Sequence, residues 1–232
     1  MPRPGRPRVL SPWGAPEFPD ANQADARGLL AVGGALSPAW LLSAYERGIF
    51  PWYDEGLPPL WWSPDPRAVL DAEHLHVSRS LRRFIGHLPQ RVTFNQSFER
   101  VMLACGETRE EGTWILPDML SAYSELHRLG HAHSFEVWNG ERLVGGLYGV
   151  QLGAFFAAES MFHLETNASK VALVCAVKSL FGAGVRLFDV QFLTPHLASM
   201  GAFTLPRQEY LRQLAAAIAQ PLEVQGLTPI LN

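Results

Sequence analysis

Apolar residues in the middle of the chain recur at the spacing expected for β-strands. Residues 133–138 have this character, and Asn139-Gly140 is a dipeptide that favours a two-residue hairpin turn with positive φ. The apolar residues return over 142–151, and after Gly153 a third strand-like stretch covers 154–161. We therefore predict an antiparallel hairpin that is extended by a third strand.

Signals for the start and end of helices occur on both sides of this hairpin. Ser37 followed by Pro38 predicts the beginning of a helix that ends near Gly48. Further helices are predicted from Ser78, after Asn95, over 117–129 and over 167–181, and further strands over 68–70, 91–94 and 185–192. Because some strands are joined by hairpins and others through a helix, the predicted fold class is α+β with a mixed sheet.

Proline and glycine are concentrated in the first third of the chain, where they leave room for one clear helix. Longer periodic elements follow from Pro66 onward. This change predicts a small Pro/Trp-rich N-terminal domain over residues 1–66 and a larger domain over residues 67–232. The tryptophans around the boundary could equally join the two lobes.

The 232 residues include 19 basic and 22 acidic side chains, for a net charge of −3. This balance excludes a protein that coats nucleic acid through bulk charge, so any RNA contact requires a local patch. Cys105 and Cys175 form no Cys-x-x-Cys motif, which favours a reducing compartment. No segment is typical of a secretory signal or a membrane span, so we expect a cytoplasmic protein without membrane association.

Motifs for cofactors are missing from the sequence. It contains neither a P-loop nor a Gly-x-Gly-x-x-Gly run, so a nucleotide cofactor is not predicted. The pairs His74/His76 and His131/His133 have no third ligand at metal-binding spacing, and we predict no metal. Cys175 lies in an apolar helix and Ser160 is outside a nucleophile elbow, so neither is predicted to be a covalent nucleophile.

Basic residues cluster where acidic ones are absent. Residues 74–98 contain no acid, and Arg79, Arg82 and Arg83 share a face of the helix that begins at Ser78. Guanidinium groups suit bidentate phosphate binding, although a solvated helix face explains the cluster equally well.

Tryptophans in loops and polar residues in apolar strands give two further groups of candidates. Trp52 and Trp114 lie in predicted loops, where core packing or the stacking of an unpaired base are the alternatives. Glu159 ends an apolar strand, and period two puts Asp189 and Gln191 on one face of the strand over 185–192. Such polar groups must be hydrogen bonded, either in a structural network or in a cleft.

Taken together, these segments resemble the bacterial leucyl/phenylalanyl-tRNA–protein transferases from Gly28 to about Leu214. The resemblance includes Gly48-Ile-Phe-Pro-Trp52, Leu60-Trp-Trp-Ser-Pro-Asp-Pro-Arg67 and His133-Ser-Phe-Glu-Val-Trp138. It extends to residues 28–37, 78–80, 112–115, 143–149, 159–162, 167–170 and 189–191. Two positions depart from the family pattern, because Ala158 replaces a usual Gly and Thr194 a common Asn.

The resemblance implies a small N-terminal lobe and a C-terminal lobe with the acyltransferase fold of the GNAT superfamily. It implies transfer of Leu, Phe or, less well, Met from tRNA to the N-terminal Arg or Lys of a protein, which marks that protein for degradation. The implied site residues are Trp52 and Trp114 around the terminal adenosine, Arg79, Arg82 and Arg83 at the acceptor stem, and Glu159, Asp189 and Gln191 at the reacting centre.

The chemistry implied by this resemblance requires no cofactor, because an aminoacyl ester is already activated. Orienting the two substrates can contribute roughly 7–11 kcal/mol, against about 1.4 kcal/mol for complete deprotonation of the amine. We hypothesise that Gln191 aims the attacking amine, that Asp189 polarises and holds Gln191, and that Glu159 helps to hold an amino group. An apolar socket for the donor side chain is expected from Leu147, Phe156, Met161 and Leu173.

Three alternatives remain open at the level of sequence. An acyl-CoA-dependent N-acyltransferase would share the fold, although Arg142-Leu-Val-Gly-Gly-Leu147 only partly matches the pyrophosphate loop of such enzymes. Leucyl transfer to acidic N-termini is the second, and a non-catalytic RNA or peptide binder is the third. A monomer is the expected oligomeric state.

Overall fold

The computed structural model describes residues 6–87, 91–108, 113 and 115–231. Within them the strands are β1 (Arg8–Leu10), β2 (Leu29–Gly33), β3 (Phe50–Pro51), β4 (Leu60–Trp62), β5 (Arg67–Leu70), β6 (Arg91–Phe94), β7 (Ala132–Asn139), β8 (Arg142–Leu152), β9 (Phe155–His163), β10 (Leu187–Gln191) and β11 (Phe203–Leu205). The helices are α1 (Pro38–Tyr45), α2 (Arg79–Gly86), α3 (Phe98–Glu107), α4 (Pro117–Arg128), α5 (Ala168–Ala183), α6 (Pro195–Ser199) and α7 (Arg207–Ile218).

The larger sheet has the strand order β11-β5-β10-β9-β8-β7-β6. Adjacent strands in this sheet are antiparallel, except that β9 and β10 are parallel and are connected through α5. The predicted hairpin is confirmed, since Asn139 pairs with Arg142 and Gly140 has a φ of 58°. The mixed α+β architecture predicted from the sequence is therefore confirmed.

The larger sheet is covered on both faces. Val171, Leu173 and Val177 of α5 pack with Phe135 and Phe188 in one core cluster. A second cluster contains side chains from α3, α4 and α7 together with α1 and the smaller sheet. Burial of this apolar surface supplies the main driving force for folding, at roughly 25 cal/mol per Å².

A four-stranded sheet with the order β1-β2-β4-β3 lies in the first third of the chain, where the sequence had predicted one helix and no strands. Its strands have two to five residues, which is too short for an alternating pattern to be read. Trp61 is fully buried and packs against Trp40 and Phe18 at ring-centroid distances of 6.1 and 4.7 Å. Core packing therefore accounts for this tryptophan.

Two β-bulges interrupt the larger sheet at the same level. Gly149 pairs with Ala158 and Tyr148 with Ser160, so Glu159 is an extra residue on β9. On β10, Asp189 and Gln191 pair with Val69 and Ala68, so Val190 is extra. The parallel pairing of β9 with β10 ends at Ala157 and Asp189. Bulges re-aim side chains and end pairing, and here they lie where a cleft opens beside the two strands.

Among the helices that the structure describes, none has both the length and the apolar character needed to cross a membrane.

Gly149 should be required at the bulge on β9. A Cβ atom at this position would lie 2.2 Å from the carbonyl oxygen of Ala157 and 2.6 Å from the ring of Phe156. Gly149→Ala is expected to lower the free energy of unfolding by about 1–3 kcal/mol, the usual cost of overpacking. Urea denaturation would measure it.

The matched control is Gly226→Ala, because a Cβ at Gly226 would meet no atom within 4 Å. It should change the free energy of unfolding by less than about 0.5 kcal/mol. Equal effects of the two substitutions would contradict the close packing described for Gly149.

Candidate active site

A cleft of about 530 Å³ opens where β9 and β10 separate. The side chains around it come from the end of β3, the bulges of β9 and β10, the middle of β8, helix α5, the segment that leads into α6, and α6 itself. They are Phe50, Pro51, Trp52, Leu147, Ala158, Glu159, Ser160, Met161, Leu173, Val190, Gln191, Phe192, Thr194 and Leu197. Most of this lining is apolar, and the polar groups gather at Glu159 and Gln191.

The Glu159 carboxylate is held by two hydrogen-bonding side chains. Gln191 Nε2 donates to Oε1 at 3.3 Å, and the Tyr123 hydroxyl donates to Oε2 at 3.3 Å. The hydroxyls of Tyr123 and Tyr45 are 2.6 Å apart, so a buried chain of tyrosines from α4 and α1 ends at this acid. An amide nitrogen only donates, so the carbonyl oxygen of Gln191 is the side-chain atom that can accept from a substrate amine.

Burial raises the pKa of Glu159 to about 8. The hydroxyls of the Tyr45–Tyr123 pair and the charge of Arg67 lower it, whereas the nearby Asp189 carboxylate raises it. A carboxyl group with this pKa exchanges between its charged and neutral forms near neutral pH. Such perturbed groups in clefts are frequent at functional sites.

Asp189 is fully buried beneath the cleft and does not line it. Arg67 makes a bidentate ion pair with it, with Nε to Oδ1 at 2.9 Å and Nη2 to Oδ2 at 2.6 Å. The Tyr210 hydroxyl donates to Oδ2 at 2.9 Å, and the main-chain N–H of Gln191 donates to Oδ1 at 2.9 Å. The carboxylate thus holds the backbone of Gln191, whereas the Gln191 side chain contacts Glu159.

The backbone of Gln191 has a φ of 57°, in the left-handed region. For a residue other than glycine this conformation costs roughly 1–2 kcal/mol and persists where the surroundings enforce it. The bond to Asp189 and the pairing with Ala68 provide that constraint. Strand periodicity alone could not have predicted this arrangement, because the extra Val190 interrupts the alternation between Asp189 and Gln191.

Three of the four residues predicted for the apolar socket line the cleft, namely Leu147, Met161 and Leu173. Phe156, the fourth, is fully buried against Phe188 at 5.3 Å and does not line it, because β9 is still paired with β10 at this position. Val190 and Leu197 also line the cleft, and the sequence analysis missed both.

Trp52 lies at the edge of the cleft with 42% of its surface exposed. Its ring lies 5.7 Å from those of Trp62 and Phe192, both tilted relative to it. An exposed indole supported by two aromatic rings provides a surface on which a planar group can stack. Trp114, the other residue predicted at the adenosine, lies outside the described residues.

The three predicted arginines of α2 are exposed. Arg79 and Arg83 border a shallow hollow with Ser80, Phe84 and His87. Arg82 is exposed on the same helix but does not border this hollow. His87, which caps the C-terminus of α2, was not predicted from the sequence.

Two other buried polar groups belong to structural networks. Glu136 accepts from the main-chain N–H groups of Gln96 and Ser97, which precede α3, at 3.2 Å each. His133 contacts Asn95 Nδ2 and Gln151 Oε1, and burial lowers the pKa of this imidazole to about 4. In the part of the chain that the structure describes, no three His, Cys, Asp or Glu residues are grouped as a metal site would require.

Comparisons with known proteins identify a family. Residues 69–215 match the family described as leucyl/phenylalanyl-tRNA protein transferase, and residues 34–65 match its N-terminal domain. The chain is 53% identical over 211 residues to the leucyl/phenylalanyl-tRNA–protein transferases of Salmonella newport (strain SL254) and Salmonella typhi, which covers 91% of this chain and 90% of each relative.

Among solved structures, that of L-PGS from Bacillus licheniformis is similar over 65% of this chain and 51% of its own, with 11% identity. The TM-score of 0.39 is too low for this likeness to bear on fold or function.

The raised pKa of Glu159 predicts a dependence of stability on pH. Between its ordinary pKa of 4.5 and about 8, the folded protein keeps a proton at Glu159 that the unfolded chain has lost. The free energy of unfolding of the wild type should therefore fall relative to that of Glu159→Gln as pH rises through this window, and the difference should level off above it. Thermal unfolding at a series of pH values would measure the difference.

Glu209→Gln is the control, because hydrogen bonding to Arg212 lowers the pKa of Glu209. Here the sign is reversed, and the wild type should gain stability relative to the variant as pH rises through the acid range. A flat difference for Glu159→Gln between pH 5 and 8 would contradict the described environment of Glu159.

Proposed function

Because this chain belongs to the leucyl/phenylalanyl-tRNA–protein transferase family, and is thus an aminoacyltransferase that uses tRNA, we propose that the cleft at Glu159 and Gln191 is its active site. There it transfers leucine or phenylalanine, and methionine less well, to the N-terminal Arg or Lys of an acceptor protein. The supporting observation is that an apolar socket, an exposed tryptophan and a carboxylate–amide pair meet in one cleft.

The socket suits the apolar side chain of the donor. Leu147, Met161, Leu173, Val190 and Leu197 surround the space and offer no charged group. Pockets of this kind distinguish side chains that differ by one methylene by only about 1–3 kcal/mol. Tolerance among leucine, phenylalanine and methionine follows from this weak discrimination.

The tRNA is held outside the socket. Trp52 stacks on the terminal adenine, a contact worth roughly 1–3 kcal/mol, and Trp114 is proposed as its partner. Arg79, Arg82 and Arg83 of α2 bind phosphates of the acceptor stem. Their exposure supports this role, since guanidinium groups need access to a backbone that they contact.

The reaction joins the acceptor amine to the ester carbonyl. The amine nitrogen attacks the carbonyl carbon, an amide C–N bond forms and the ester C–O bond breaks. The proton that the nitrogen loses passes to the leaving oxygen, so the tRNA leaves with a terminal ribose hydroxyl. The carbonyl oxygen of Gln191 accepts a hydrogen bond from the amine and aims its lone pair. An α-amino group has a pKa of about 7.7–8.0, so the Glu159 carboxyl, with a pKa of about 8, can hold the ammonium form and take its proton.

We further propose the remaining features implied by the family. Residues 1–66 and 67–232 form two lobes, the second with a GNAT-like fold, and the product is a substrate for degradation through the N-degron pathway in the cytoplasm. A monomer is the proposed oligomeric state.

The segment that partly matches the pyrophosphate loop of acyl-CoA-dependent enzymes does not support that alternative. Residues 142–147 form the first half of β8, inside the sheet. They do not lead into a helix whose N-terminus could bind a pyrophosphate.

The test is transfer of labelled leucine from leucyl-tRNA to a peptide, using the purified protein without ATP or CoA. We expect label on a peptide beginning with Arg, none on the same peptide beginning with Asp or with a blocked N-terminus, and none after ribonuclease treatment. Label only on the Asp peptide would overturn the proposed acceptor. Transfer that requires an acyl-CoA would overturn the proposed reaction.

Removal of the side-chain amide of Gln191, which is proposed to orient the amine, should slow the chemical step. Gln191→Ala is expected to lower kcat about 100-fold, the order of effect that misplacement of a reacting group produces, with little change in KM for leucyl-tRNA. Steady-state kinetics with both substrates would measure this. Gln208→Ala, on the exposed face of α7, is the control and should match the wild type. Unchanged kcat in Gln191→Ala would remove Gln191 from the mechanism.

Loss of a phosphate contact should appear in the salt dependence of tRNA binding. Arg83→Ala should weaken binding and reduce the slope of log K against log salt concentration by roughly 0.7–0.9. Arg212→Ala serves as the control, because Arg212 is exposed on α7 and paired with Glu209. Identical salt slopes for Arg83→Ala and the wild type would exclude α2 from the tRNA interface.

A further inference from the structure

One fully buried side chain next to the cleft has no part in the mechanism proposed above. Arg67 is the first residue of β5 and is 1% exposed. Its Nη1 donates to the carbonyl oxygen of Gly48 at 3.0 Å, while Nε and Nη2 bind Asp189. The guanidinium also lies between the rings of Phe50 and Tyr210, at 4.6 and 4.7 Å from their centroids. It cannot touch a substrate, because these groups enclose it.

The contacts of Arg67 extend to Gln191 through Asp189. Asp189 Oδ1 accepts from Arg67 Nε and from the main-chain N–H of Gln191, each at 2.9 Å. The second oxygen accepts from Arg67 and from Tyr210. With Arg67 in place, the carboxylate has one orientation. In it, Oδ1 faces the main-chain N–H of Gln191, whose backbone must be held in the left-handed conformation.

The other contacts of Arg67 reach the opposite wall of the cleft. Gly48 precedes β3, and Phe50 both packs on the guanidinium and lines the cleft. Trp52 follows immediately after β3. One guanidinium therefore bonds to the segment that carries the proposed adenine contact and to the carboxylate that fixes the proposed aiming residue.

We propose that Arg67 is a positioning residue for aminoacyl transfer. It sets the conformation of Gln191 through Asp189, and it sets the distance between Gln191 and the chain segment from Gly48 to Trp52. The inference rests on the function proposed above. A lysine cannot replace it, because one ammonium group cannot bind both carboxylate oxygens in a plane and also reach the Gly48 carbonyl.

The first test compares two buried arginines. Arg207 is 8% exposed and donates to the Ser63 carbonyl oxygen, but it does not contact Asp189. Arg67→Lys and Arg207→Lys should both lower the melting temperature. Only Arg67→Lys should lower kcat, by at least tenfold, with KM for leucyl-tRNA within threefold of the wild type. Assays are run at a temperature at which circular dichroism shows both variants folded, and Arg67→Gln replaces Arg67→Lys if the lysine variant does not fold.

The second test asks whether Arg67 acts through Gln191. In a Gln191→Ala background, Arg67→Lys should change the single-turnover rate by less than threefold, because the group that it positions is gone. An equal loss of rate in both backgrounds, or the same loss of kcat in Arg207→Lys, would reduce Arg67 to a structural role. If the wild type itself transfers no leucine, the proposed function fails, and this outcome is distinct from wild-type transfer that Arg67→Lys leaves intact.

Discussion

The buried ion pair between Arg67 and Asp189 is the interaction on which the site depends. Removing two charges from water is costly, and the cost is offset only where geometry and further hydrogen bonds satisfy both partners. Here each carboxylate oxygen of Asp189 accepts two hydrogen bonds. The guanidinium of Arg67 also donates to a carbonyl oxygen and packs between two aromatic rings. The pair joins β5 to β10, and through Tyr210 and Gly48 it also joins α7 and the segment before β3.

Two carboxylates, one lining the cleft and one buried beneath it, have different roles because their surroundings differ. Asp189 is saturated by a guanidinium, a hydroxyl and an amide, and it organises the backbone. Glu159 has weaker hydrogen bonds of 3.3 Å and faces the cleft, where burial brings its pKa to about 8. Active sites commonly contain two acids whose different environments give them different chemical roles. The β-bulges make this separation possible, since each places one extra residue at the edge of the cleft.

The parts of the fold with local signals were predictable from the sequence. The Asn139-Gly140 turn, the N-cap at Ser78 and the beginning of α5 after Asn167 are confirmed. The short strands β1 to β4 were not predicted, because two to five residues around prolines carry too little periodicity. Elements α6, β11 and α7 were not predicted from the sequence; β11 forms the edge of the larger sheet beside β5, and α7 packs against β9 and β10.

The site was predictable in composition but not in geometry. Glu159, Gln191, Leu147, Met161 and Leu173 do share one cleft. The role of Arg67 depends on a partner 122 positions away, and its only local signal is a charged residue that opens an apolar strand. Phe156 is excluded because it lies where β9 and β10 are still paired. The main-chain bond to Gln191 lies at a bulge, which interrupts the period-two rule without a clear mark in the sequence.

The most direct test of this account is a crystal structure of the protein with a leucyl-adenosine analogue in which an amide replaces the ester. We expect the adenine stacked on Trp52, the leucyl side chain among Leu147, Met161 and Leu173, and the carbonyl carbon within reach of an amine held by Gln191 and Glu159. An analogue bound elsewhere, or bound with its leucyl group directed away from the socket, would contradict it.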